Sequence, residues 1–156
     1  MYLVKSSSAE NGYRLSIVRY GTMCIVYEAV IRTEPKGKKN NMNIAYNKKT
    51  GRQFIVQSDR YKQFEKDCGW FIKASQKPTE PIDYPVNIEY LFYRKNNIRC
   101  DLNNLISAMD DILVKYGILA DDNFKIVAGH DGCRVRIDKD YPRIEVKITK
   151  LGEEDL

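Results

Sequence analysis

A helix with two readable ends is the feature that most constrains what this chain can fold into. Apolar residues recur at Leu102, Leu105, Ile106, Met109, Ile112, Leu113 and Tyr116, a stripe of helical period. Asp101 stands at the N-cap position, where a side-chain oxygen accepts an orphan N–H, and Gly117 stands where a left-handed residue ends a helix. Acidic residues flank this helix, Asp101 at its mouth and Asp121-Asp122 beyond its exit. An antiparallel return would carry the second pair back toward the sheet that precedes the helix. Carboxylates at a strand-to-helix junction and on a returning segment suit a hard divalent cation. Each piece also has a plainer use. An Asp before a helix caps it, and an Asp-Asp-Asn run after one is a solvated turn.

Upstream the charge reverses. Residues 31–66 carry ten Lys or Arg against three acidic residues, whereas residues 101–122 carry five Asp against one Lys. A polar loop from Pro35 to Lys49 holds Lys36, Lys38 and Lys39. It reads either as a solvated loop or as an arm for phosphates, since clustered cations release counterions from nucleic acid. A basic arm beside an acidic pocket suggests DNA held against metal ions. Lys95 and Arg99, delivered by the strand before the helix, join the candidate DNA contacts.

The remaining elements predict a single domain. Cys24–Ile31 and Gln53–Gln57 read as strands, and Ser58 caps a helix with its stripe at Tyr61, Phe64, Cys68, Phe71 and Ile72. Trp70 falls off that stripe, at a subunit contact or a core edge. Strands follow over Val86–Tyr93 and Phe124–Ala128, then Val135–Ile137, continuing or returning, and Ile144–Thr149. The order is β-β-α-β-α-β-β-β, an α+β domain with two main helices packed on a mixed sheet. Residues 1–22 read as an extension with a strand at Tyr13–Tyr20, residues 23–150 as the domain, and residues 151–156 as a tail. With 156 residues and 43% hydrophobic content, a core needs no staples. No apolar run is long enough for a membrane span, and no signal-peptide core precedes the domain, so a cytoplasmic protein is expected. Four widely spaced cysteines and a single histidine, His130, make a zinc site a poor fit and predict buried, reduced thiols.

The residues also carry a resemblance. Asp101-Leu102-x-Asn104-Leu105, a helix bearing Asp111, then Gly117 and Asp121-Asp122 resemble the signature of the RusA family of Holliday-junction resolvases. Lys38-Lys39-Asn40, Gly51-Arg52-Gln53-Phe54 and Ser58-x-x-Tyr61-x-x-Phe64-Glu65 resemble that family's first half, and the likeness covers roughly residues 23–150. It implies a small homodimeric, magnesium-dependent endonuclease, of the kind found in bacteria and their phages, that cuts four-way DNA junctions. It places the catalytic positions at Asp101, Asn103 and Asp122, with Asp101 and Asp122 as Mg2+ ligands and Asp121 in support. Two positions depart from the pattern: Asn103 stands where Asp is expected, and Ser107 where Lys is expected. The alternative is therefore a junction-binding relative with weakened or lost cutting.

Overall fold

The computed structural model describes residues 24–39 and 41–152. The extension with its expected strand at Tyr13–Tyr20, and the end of the tail, lie outside the described residues. In chain order the elements are β1 (Cys24–Ile31), β2 (Met42–Tyr46), β3 (Gln53–Gln57), α1 (Asp59–Ala74), β4 (Val86–Arg94), α2 (Leu102–Lys115), β5 (Val127–Gly129), β6 (Arg134–Ile137) and β7 (Arg143–Lys150).

Both helix starts form as their caps predict. Ser58 Oγ accepts the Tyr61 N–H at 3.2 Å, and Asp101 Oδ1 accepts the Asn103 N–H at 3.0 Å. At the far end of α2, Gly117 takes a φ of +73°, the left-handed turn-off that a side chain disfavours. Strand β4 lies at the centre of a mixed sheet. It pairs antiparallel with β7, which pairs antiparallel with β1, and its other edge carries β5 and β6, both parallel. Leu91–Arg94 run opposite Arg134–Ile137, so the segment at Val135 continues along β4 rather than returning.

One face of this sheet is the core. Ile88, Tyr90 and Phe92 of β4 and Ile144, Val146 and Ile148 of β7 meet Phe64, Cys68 and Ile72 of α1 and Met109, Ile112 and Leu113 of α2. The helices approach closely at Gly69, where an added Cβ would lie 2.0 Å from the Tyr116 ring. The resulting single α+β domain is the architecture expected, with two local corrections. The Pro35–Lys49 stretch, expected as loop throughout, contains β2, which forms a hairpin with β3. The strand expected at Phe124–Ala128 shrinks to Val127–Gly129, because Asn123 captures the Lys125 N–H at 2.9 Å and its carbonyl accepts from Ile126 and Val127. That turn leaves Phe124 80% exposed. Trp70 projects from α1 into solvent. All four cysteines are free, but only Cys68 is fully buried and Cys24 is exposed, so the expectation of buried thiols holds in part.

A buried polar knot ties the sheet to α2. The Tyr90 hydroxyl donates to Asp110 Oδ1 at 2.7 Å, and His130 Nε2 lies 3.1 Å from the other carboxylate oxygen. Burial and the adjacent Asp110 push the Tyr90 phenol well above its ordinary range. The hydroxyl therefore stays a donor. Tyr90→Phe should cost about 1.5–3 kcal/mol, the usual value of a hydrogen bond to a charged group. The expected readout is a lower urea midpoint at unchanged slope; an unchanged midpoint would mean His130 alone satisfies the carboxylate.

Candidate functional site

The exposed side of α2 carries one polar row. Asn103, Ser107 and Asp111 are spaced four residues apart and so share a side of the helix. Asn103 and Ser107 are exposed, and Asp111 is half-buried. Beside this row lies the basic loop. Lys39 donates its backbone N–H to Asn104 Oδ1 at 3.0 Å, and Lys38 Nζ sits 2.7 Å from Asp111 Oδ2. Gly37 is buried against Asn104, with room for no side chain: a Cβ there would meet the Asn104 amide nitrogen at 2.4 Å. The loop is therefore docked on α2, in contrast to the flexible arm that composition suggests. Lys36 is half-buried and Lys39 exposed.

Gly37→Ala should break this docking, because overpacking a close approach costs about 1–3 kcal/mol. The Lys39 amide would then exchange its hydrogen roughly tenfold faster or more. Unchanged protection at Lys39 would show that Asn104 moves aside freely.

The second group of carboxylates follows α2. Ile82 pairs with the returning chain, donating to the Ile118 carbonyl and accepting from Ala120, both at 2.9 Å. Asp121 and Asp122 come next, both exposed. Asp121 is committed locally: Oδ1 accepts the Asp122 N–H at 2.8 Å and Oδ2 accepts from the Asn123 amide at 2.7 Å. The Asn123 bond, then that from the Asp122 backbone, holds its carboxyl below the usual range. Asp122 moves the other way. Desolvation is the largest cause, and the charges of Asp111 and Asp121 add to it. A carboxylate pressed by two others is one that a cation would relieve.

Asp101 stands apart from this group. Its cap position is ten residues before Asp111, about 15 Å along the helix axis at 1.5 Å per residue. Asp122 is pressed by Asp111 and Asp121, while Asp101 is occupied in capping. Among the described residues no three His, Cys, Asp or Glu side chains gather as a metal cage. The donors are nonetheless oxygen-only, which suits Mg2+. That ion is commonly held by one or two carboxylates and keeps water and substrate phosphate as its other ligands.

The remaining predicted contacts flank the start of α2. The Lys95 backbone N–H donates to Glu34 Oε2 at 2.9 Å, and its side chain is exposed, as is that of Arg99. Arg94 is turned inward instead, donating to the Ile98 carbonyl with Glu34 3.9 Å from its Nε. Sequence reasoning missed the parts played by Gly37, Asn104 and Asp111 in seating the loop. The four-residue spacing of Asn103, Ser107 and Asp111 is the one sequence signal that marks their shared row.

No helix among the described residues is long and apolar enough to cross a membrane. No curated protein sequence matches the chain. A family model does: that of endodeoxyribonuclease RusA matches residues 33–149 of the 156, from the basic loop through both acidic segments to the last strand. The chain belongs to the RusA family of endodeoxyribonucleases, metal-dependent enzymes that resolve Holliday junctions.

Proposed function

We propose that this chain is a magnesium-dependent endonuclease that cuts four-way DNA junctions in the cytoplasm as a homodimer, serving recombination and repair. The observation that carries the reading is the docking of the cationic loop on the carboxylate-bearing helix, through Lys38 to Asp111 and Lys39 to Asn104. A DNA backbone following the loop cations is thereby led along the row from Asp101 toward Asp122.

In this reading Asp122 would hold Mg2+ beside Asp111, Asp121 orients the Asp122 segment, and Asp101, with the neutral carbonyl oxygen of Asn103, would serve as a separate ligand pair at the mouth of α2. A bound Mg2+ supplies an activated water, charge neutralisation at phosphorus and help for the departing oxygen. The chain's own residues bind and align the strand. Lys36, Lys38 and Lys39 take phosphates on one side, and Lys95 and Arg99 take them near the start of α2. Lys38 also places a cation one turn beyond Ser107, on the same row, where the family pattern puts its Lys within the helix itself. A twofold enzyme supplies two such sites, as paired cuts across a junction require.

Neutralising Lys36, Lys38 and Lys39 together should weaken junction and duplex binding alike. The plot of log affinity against log salt should flatten by about 2–3 units, near 0.9 for each phosphate no longer neutralised. An unchanged slope would remove the loop from the interface. Light scattering should report a dimer at micromolar concentration with and without DNA, and a monomer in both would contradict the two-site reading.

Asn103 and Ser107 favour a second reading, a junction-binding relative that keeps the cations and cuts slowly or not at all. The two departures cancel in charge, one carboxylate and one ammonium both missing from neighbouring turns, so the binding surface is preserved whichever reading holds.

A further inference from the structure

The β2–β3 hairpin is built unlike the rest of the fold. Its five ladder pairs run from Met42 opposite Gln57 to Tyr46 opposite Gln53, with Ile44 directly opposite Ile55. Ile44 is 74% exposed and Ile55 72% exposed, although both are large and apolar. Partners across an antiparallel ladder point to the same face, as do residues two apart, so Met42, Ile44, Tyr46 and Ile55 share one face with Gln53 and Gln57, and the Ile44–Ile55 pair at its centre is apolar and uncovered. An isolated two-stranded ribbon is marginal in water, and an apolar face of this kind marks a contact site.

The tip is ordered rather than loose. Asn47 exchanges backbone bonds with Arg52 and Gly51, and its side chain accepts the N–H groups of Lys49 and Thr50. Gly51 takes a φ of +69° to close the turn. This tip presents Lys48, Lys49 and Arg52, and between Asn41 and Ser58 the chain has no acidic residue. The ribbon is thus cationic at its end and carries the exposed Ile44–Ile55 pair at mid-strand, and it follows the docked Lys36–Lys39 loop.

We propose that the β2–β3 hairpin is a DNA-engaging ribbon, with Lys48, Lys49 and Arg52 on phosphates and the Ile44–Ile55 pair wedged against base faces at the branch point. The inference rests on the junction-nuclease reading above and adds the element that distinguishes a branched substrate from a linear one. Two-stranded ribbons fit DNA grooves, and apolar side chains insert where bases unstack. Unstacking costs least where stacking is already interrupted, as at a branch point. A second copy of this chain is the less favoured occupant, because the Lys48, Lys49 and Arg52 cluster calls for an anionic partner that a hairpin without acidic residues does not supply.

The test compares the full chain with Ile44→Ser/Ile55→Ser and with Lys48→Gln/Lys49→Gln/Arg52→Gln, without divalent metal so that no strand is cut. The probes are a four-way junction carrying 2-aminopurine at the branch point and a linear duplex of the same arms. The serine variant should keep its duplex affinity, lose roughly tenfold or more of its junction preference, and fail to raise the 2-aminopurine fluorescence that the unmodified chain raises. The glutamine variant should weaken both substrates together and flatten the salt slope by about 2–3 units. Because Ile44 and Ile55 lie outside the core, melting temperatures should stay level. An unchanged junction preference in the serine variant overturns the proposal while leaving the nuclease reading intact. A shift of that variant from dimer to monomer also overturns it and assigns the face to a second copy. An unmodified chain that does not prefer the junction overturns both the proposal and the reading beneath it.

Discussion

Asp122→Asn is expected to lower junction cleavage by about 10²–10³-fold, the usual cost of losing one strong interaction with developing charge. The expectation follows from how the two neighbouring carboxylates are engaged. Both oxygens of Asp121 are spent on its own turn, holding the Asp122 N–H and the Asn123 amide. Asp122 is exposed, and slight desolvation together with the charges of Asp111 and Asp121 raises its carboxyl, so it gains more from a cation than Asp121 does. Asp121→Asn should therefore cost less than Asp122→Asn and act by loosening the turn. Junction affinity measured without metal should survive Asp122→Asn, since removing a negative charge near phosphate does not oppose binding. A rate for Asp122→Asn equal to that of the unmodified chain would exclude this carboxylate from the chemistry.

Asn103→Asp is expected to move the rate in the opposite direction, by up to about 10²-fold at limiting magnesium, because it returns a charged ligand to the row beside Asp101. Its side chain is exposed, so the added charge carries little desolvation cost. Adding Ser107→Lys places an ammonium four residues along the same side, where an acidic residue preceding a basic one by four forms a favourable helix pair. That double variant should therefore exceed Asn103→Asp at saturating magnesium. If the present sequence has instead adapted to Asn103, the new carboxylate repels its neighbours and the rate falls unless metal is abundant. Equal rates for Asn103→Asp, Asp122→Asn and the unmodified chain would place catalysis elsewhere.

Local chemistry made much of this fold legible. The stripe from Leu102 to Tyr116, the Asp101 and Ser58 caps and the Gly117 turn-off each depend on residues within a few positions of one another. Strand β4, with Val86, Ile88, Tyr90 and Phe92 buried on one face, declared itself by composition and length. Strand β2 did not, because its Met42, Ile44 and Tyr46 stay exposed and sit in a segment dominated by Lys and Asn. The shortening of the strand expected from Phe124 has a specific cause, the capture of backbone groups by Asn123.

For the candidate site, sequence supplies residue types and not their arrangement. Lys38 and Asp111 are 73 positions apart, and nothing in either neighbourhood announces their ion pair. The helix length separates the Asp101 cap from Asp111, a consequence of 1.5 Å per residue that motif spacing conceals. Seating the basic loop on Asn104 likewise depends on Gly37 having no side chain, and the need for that close approach arises only once the two segments are folded together.

Cleavage of a labelled four-way junction, followed against magnesium concentration beside a linear duplex of the same sequence, tests whether this chain is a magnesium-dependent junction nuclease. The expected result is paired cuts near the branch point that require magnesium, an uncut duplex, and loss of cutting in Asp122→Asn with junction binding retained. A junction that is bound but stays whole at every magnesium concentration, or a duplex cut as readily as the junction, would contradict it.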